Sequence, residues 1–154
     1  MNIEIKYADR TSLNENALVK TIKKFCKLKR DVYIIFDNRL KLDCGNYQYD
    51  EEYKLHTIKL SVKNGRFLKG KQLDEEAEKY NFLITLLHEI RHAQQYEEFK
   101  NKFWSDKLCA NQQIQEPTLS VEYSKFELDA KAYENANINK VVEFYNKCLT
   151  KERK

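Results

Sequence analysis

The chain has 154 residues, 42% hydrophobic and 34% charged, which reads as one globular domain over 1–154, large enough to bury a core. Three glycines and one proline disfavour a loop-rich or turn-rich all-β fold, and a net charge of +4 carried mostly by dispersed lysines lacks the arginine clusters of a nucleic-acid surface. The longest apolar run, Phe82 to Leu87 interrupted by Thr85, is too short to span a bilayer, and the charged, alternating start Met1–Lys6 has no signal-peptide core.

Cys26, Cys44, Cys109 and Cys148 are scattered, with no C-x-x-C pair, so they read as free thiols. A cytoplasmic protein without a membrane segment is expected.

In chain order, Asn2 to Tyr7 alternates Ile3, Ile5 and Tyr7 with polar residues, a half-buried strand. Ser12 or Asn14 can cap a helix running to about Lys29, with Leu18, Ile22, Phe25 and Cys26 inward and lysines outward. The dense basic stretch Lys20 to Arg30 is read as the solvated side of that helix. Asp31 to Phe36 is β-branched and aromatic, a strand interior to a sheet. Gly45-Asn46 predicts the turn of a hairpin within Leu40 to Tyr49.

Tyr53 to Val62 is a further strand, whose lysines place it near a sheet edge with His56 as a surface residue. Asp74, Glu75 and Glu76 start a long helix reaching about Lys100. Phe103 to Glu116 is weakly helical or looped. After Pro117 a last helix runs from about Leu119 to Asn135 and continues or restarts to Leu149. The fold class is α+β, a small mixed or antiparallel sheet packed on helices.

The long helix holds His88-Glu89-Ile90-Arg91-His92, an H-E-x-x-H pattern. At about 100° per residue the two histidines lie one turn apart on one face, where they can share a zinc ion, and Glu89 can serve as general base. Phe82, Leu83, Leu86, Leu87, Ile90 and Ala93 form the opposite, core-facing arc. The histidine face also carries apolar neighbours, so another layer should cover it.

A catalytic zinc needs a third protein ligand. The position six residues past His92 is Glu98, with Gln95 three residues past it, which excludes the zincin subclass that places a third His there. A Glu from a later helix remains, and Lys125 to Tyr133 is the segment to search. Glu127 is followed one turn later by small Ala130, which permits close approach, and Asp129 can accept the second N–H of a ligating histidine. Glu134, two turns beyond Glu127, competes for the ligand role.

With Glu127-Leu128-Asp129-Ala130 and Tyr133 beside the H-E-x-x-H helix, the chain resembles the compact Glu-zincin metallopeptidases, including the ImmA/IrrE-like peptidases of bacteria and mobile elements. The resemblance covers roughly Tyr53 to Glu134. It implies a zincin-like fold, Zn²⁺ held by His88, His92 and Glu127, and a sheet edge beside the cleft, a part Leu55 to Val62 could play. Larger Glu-zincins often carry an Asp four residues after the ligand Glu, where this chain has Lys131. Hydrolysis of a peptide or protein substrate would then use Glu89 as proton carrier, with Tyr96, Tyr123 or Tyr133 as oxyanion donor.

Two other classes compete. One is a non-catalytic binding or regulatory module stabilised by zinc, which would not need Glu89. The other is a nucleic-acid-associated protein using the Lys20–Arg30 face. High Lys, Asn and Tyr with little Arg, Gly or Pro gives the composition of an AT-rich bacterial or phage gene.

Overall fold

A computed structural model of the chain describes residues 1–7, 13–37, 45–60, 67–68, 71–72, 75–99 and 117–152. Their elements are β1 (Ile3–Tyr7), α1 (Glu15–Phe25), β2 (Val32–Phe36), β3 (Gly45–Asp50), β4 (Leu55–Leu60), the two-residue strands β5 (Phe67–Leu68) and β6 (Lys71–Gln72), α2 (Glu75–Phe99) and α3 (Pro117–Glu152). The expectations for Cys44, Cys109 and Phe103 to Glu116 fall outside the described residues. No described helix is long and apolar enough to cross a membrane.

Four strands form a mixed sheet in the order β1-β2-β4-β3. The pairs β1–β2 and β2–β4 are parallel, and β3 runs antiparallel to β4. Period-two burial then separates two faces. Val32, Ile34 and Phe36, His56, Ile58 and Leu60, and Tyr47 and Tyr49 are buried on one face, joined by half-buried Ile3 and Ile5. The other face shows Glu4, Lys6, Asn46 and Gln48 to solvent, with Lys59 half-buried.

This one-sided sheet corrects the reading of β4. Its lysine lies on the open face, so it marks a solvated side rather than an edge, and β4 is flanked by β2 and β3. Among the described strands the outermost on that side is β3. Gly45-Asn46 does not turn the chain either, because both residues pair with β4, Gly45 opposite Leu60 and Asn46 opposite Lys59. The hairpin closes instead at Glu51 to Lys54, where Asp50 Oδ1 accepts the Tyr53 N–H at 2.9 Å and Lys54 takes φ 54°.

Asn14 caps α1 by accepting the Ala17 N–H at 2.9 Å, and its own N–H is donated to the Tyr145 hydroxyl of α3 at 2.8 Å. The helix ends at Phe25, earlier than Lys29, because Cys26 turns extended and the next free amides find another acceptor. The Lys29 and Arg30 N–H groups are donated to the Glu97 carboxylate of α2 at 2.8–3.1 Å. Lys20, Lys23, Lys24 and Lys27 are exposed, as expected for a solvated helix side.

Pro117 opens α3, a position where its missing N–H costs no helical bond. The helix is then continuous for 36 residues. Its Ile138, Val141, Tyr145 and Cys148 recur at heptad-like spacing and are all buried. The six apolar residues predicted on the inner arc of α2 are likewise all buried. Glu89, His92 and Gln95 are buried too, because α2 lies against β3 and β4 on one side and α3 on the other.

Candidate metal centre

The covering layer anticipated over the histidine face is α3. Ala130 is fully buried there, and a side chain ending at Cβ lets the two helices come close. His88 Nε2 lies 2.9 Å from Glu127 Oε2 and His92 Nε2 lies 2.9 Å from Glu127 Oε1, so one carboxylate faces both imidazoles. The rings stand nearly perpendicular with centroids 4.8 Å apart. One ligand atom from each of His88, His92 and Glu127 falls within 4.8 Å of the others, a cluster that could hold a metal ion.

The donor chemistry fits such an ion. Two imidazole nitrogens and a carboxylate oxygen are the ligands of a three-residue divalent-metal site, and all three side chains retain at most partial exposure. Burial disfavours charge on His88, but the hydrogen bond to Glu127 and the negative charges of Glu89, Glu127 and Glu134 outweigh it, and the imidazole pKa is raised. The site therefore attracts positive charge.

Glu134 approaches the opposite nitrogen of His88, Nδ1, at 3.4 Å. It stands outside the cluster of three, with its pKa raised by burial and partly restored by His88 and Lys131. Asp129 accepts from Arg91 Nε at 2.7 Å and from Gln95 Nε2 at 2.7 Å. The group at the second nitrogen of His92 is Gln95 itself, whose Oε1 lies 2.8 Å from His92 Nδ1. Burial opposes ionisation of Asp129, yet its bonds to Arg91 and Gln95 hold its pKa low.

Glu89 is buried at the other flank of the helix, under the start of β3. A Cβ placed on Gly45 would lie 2.7 Å from Thr85 Cγ2, 3.1 Å from Glu89 Cγ and 3.2 Å from Glu89 Oε1. Only glycine allows β3 to pass this near to Glu89. Sequence reasoning placed Gly45 in a turn and so missed it; its rarity in a three-glycine chain was the available signal.

Two of the three tyrosines named as oxyanion donors, Tyr96 and Tyr133, make other contacts. Tyr96 stacks on Tyr49 with centroids 4.2 Å apart and donates to Glu51 Oε1 at 3.3 Å; burial and the Glu51 charge push its pKa up to about 12. Tyr133 donates to the Phe25 carbonyl at 3.3 Å and lies under the Arg91 guanidinium, 5.3 Å from the ring centroid. The Tyr123 side chain is outside the described residues.

His56 was expected at the surface and is instead fully buried. Pairing of β3 with β4 turns it inward, between the Tyr47 hydroxyl at 2.8 Å from Nδ1 and Glu97 Oε2 at 2.7 Å from Nε2. Burial lowers its pKa despite the Glu97 carboxylate. The Tyr47 ring in turn lies 6.5 Å, centroid to centroid, from that of His92.

No family model matches this chain, and neither curated proteins nor solved structures provide a match.

Proposed function

We propose that this protein is a zinc-dependent metallopeptidase resembling the compact, ImmA/IrrE-like Glu-zincins. The observation that carries the reading is the convergence of both imidazole Nε2 atoms on the two oxygens of Glu127, with Glu89 adjacent in sequence to the first of them. A bare zinc-stabilised helix pair would need the three ligands but no buried carboxylate at Glu89.

A zinc ion held by His88, His92 and Glu127 would supply Lewis acidity to a water and to a substrate carbonyl. Glu89 takes a proton from the attacking water on a carboxylate oxygen and returns it to the leaving amine nitrogen, so its charge is restored after each turnover. β3, the outermost of the described strands of its sheet, would align an extended peptide by main-chain N–H and C=O groups, and Gly45 lets that strand lie close to Glu89. Buried free thiols at Cys26 and Cys148 suit the cytoplasm as its compartment.

The test is Glu89→Gln, measured for zinc content and for hydrolysis of a peptide library. Zinc retention with loss of hydrolysis is expected. Full activity in that variant would sink the mechanism, and a wild-type protein that holds zinc but cleaves nothing would favour the binding module.

A further inference from the structure

We propose that Gln95 is the positioning residue of this centre, fixing which nitrogen of His92 faces the metal and holding the Glu127 turn of α3 in place. The proposal rests on the metal reading above and concerns the buried amide three residues beyond the second histidine.

The Gln95 amide has only one orientation that its neighbours satisfy. Gln95 is fully buried. Its Nε2 lies 2.9 Å from the Phe126 carbonyl and 2.7 Å from Asp129 Oδ2. A backbone carbonyl and an ionised carboxylate can only accept, so the NH₂ end must point at them. Turning the amide over would aim its oxygen at two acceptors and lose both hydrogen bonds of a fully buried side chain.

The oxygen end is thereby fixed toward His92, 2.8 Å from Nδ1. An amide oxygen cannot donate, so Nδ1 must carry a proton. In the neutral imidazole this leaves the lone pair on Nε2, the atom that faces Glu127 Oε1. Gln95 therefore selects the Nε2-ligating tautomer before any ion arrives.

The same amide grips the third ligand. Phe126 precedes Glu127 and Asp129 follows two residues later, so the two acceptors on α3 bracket the carboxylate. Arg91, directly before His92, secures Asp129 at 2.7 Å. One side chain thus couples the helix carrying both histidines to the turn carrying the glutamate.

The experiment compares wild type with Gln95→Met, which keeps the volume and removes the amide. Zinc affinity is measured by competition with a fluorescent zinc chelator, on protein whose folding is checked by circular dichroism without metal. Loss of roughly tenfold or more is expected, the range for removing a partner of a metal-bound histidine. A role in packing alone would lower thermal stability while leaving the zinc affinity of the folded fraction unchanged, and that result would overturn the proposal. Wild-type protein that binds no zinc would overturn the metal reading along with it, a separate outcome. Should Gln95→Met not fold, the wild type alone decides: ¹⁵N spectra of the zinc-loaded protein should show the His92 proton on Nδ1, and a proton on Nε2 would refute the assignment.

Discussion

Two clusters of histidine and carboxylate draw on α2, one with the sheet and one with α3, and they differ in how their protons add up. On the sheet side, His56 finds one acceptor and one donor: Nε2–H is donated to Glu97, and Nδ1 accepts from the Tyr47 hydroxyl. A neutral imidazole satisfies both. On the α3 side, the four ring nitrogens of His88 and His92 face Gln95 Oε1, two oxygens of Glu127 and one of Glu134, all of which accept. Two neutral imidazoles have only two protons for those four acceptors. The first cluster is complete as it stands; the second is complete only with added positive charge, from protons or from a metal ion. A buried histidine alone therefore does not point to a metal; a surplus of acceptors around it marks a place for added positive charge.

The largest break in this contrast should come from Glu127→Ala. Removing the carboxylate that both imidazoles face should weaken zinc binding at least about 100-fold in the chelator competition, more than loss of an outer partner does. Unchanged affinity would transfer the ligand role to another group, with Glu134 the first to test.

His56→Leu should do the reverse, sparing zinc and costing stability. The substitution leaves the Tyr47 hydroxyl and the Glu97 carboxylate without their shared partner, a loss of about 2–4 kcal/mol in urea unfolding. A matching drop in zinc affinity would mean that the two clusters are coupled through the Tyr47 ring.

Gly45→Ala sharpens the comparison at the boundary between strand and site. The added methyl meets Thr85 and Glu89, and such overpacking costs about 1–3 kcal/mol. Peptide hydrolysis should fall while zinc content holds, because the atoms displaced belong to Thr85 and Glu89 and not to a ligand.

The smallest effect is a pH dependence belonging to His56. Its pKa in the folded protein lies below the usual imidazole value of about 6.5, so the unfolded chain binds more protons between the two values. The contribution of the neutral imidazole is fully present above about pH 6.5 and is lost as the pH falls from there through the folded value. Urea midpoints of wild type minus His56→Leu should shrink in that direction; a difference that grows on acidification would contradict the neutral assignment.

How much of this the sequence could carry follows from the range of each interaction. The H-E-x-x-H face and the apolar arc of α2 are periodic within one helix, so both were legible from Phe82 to His92. Glu127 could be nominated but not separated from Glu134, because the choice depends on which nitrogen of His88 each approaches, and helical spacing does not contain that. His56 and the placement of β4 were misread for one shared reason. Strand order and the buried face of a sheet are set by partners distant in sequence, and the lysine on an open face gives the same local pattern as one on an edge. Gln95 was noticed only for not being glycine; its role depends on Phe126 and Asp129, which a helix pair brings together.

The bond between the Asn14 amide and the Tyr145 hydroxyl joins residues 131 positions apart. Tyr145 belongs to α3 and Asn14 to the start of α1, so α1 is made long before the helix that covers it. Throughout that interval the apolar side of α1, Leu18 and Ile22 with it, has no α3 to lie against. The nascent chain must keep that surface out of harm until α3 has been made. A stalled product lacking the second half of α3 is therefore expected to be a target for chaperones and proteases rather than a smaller folded protein.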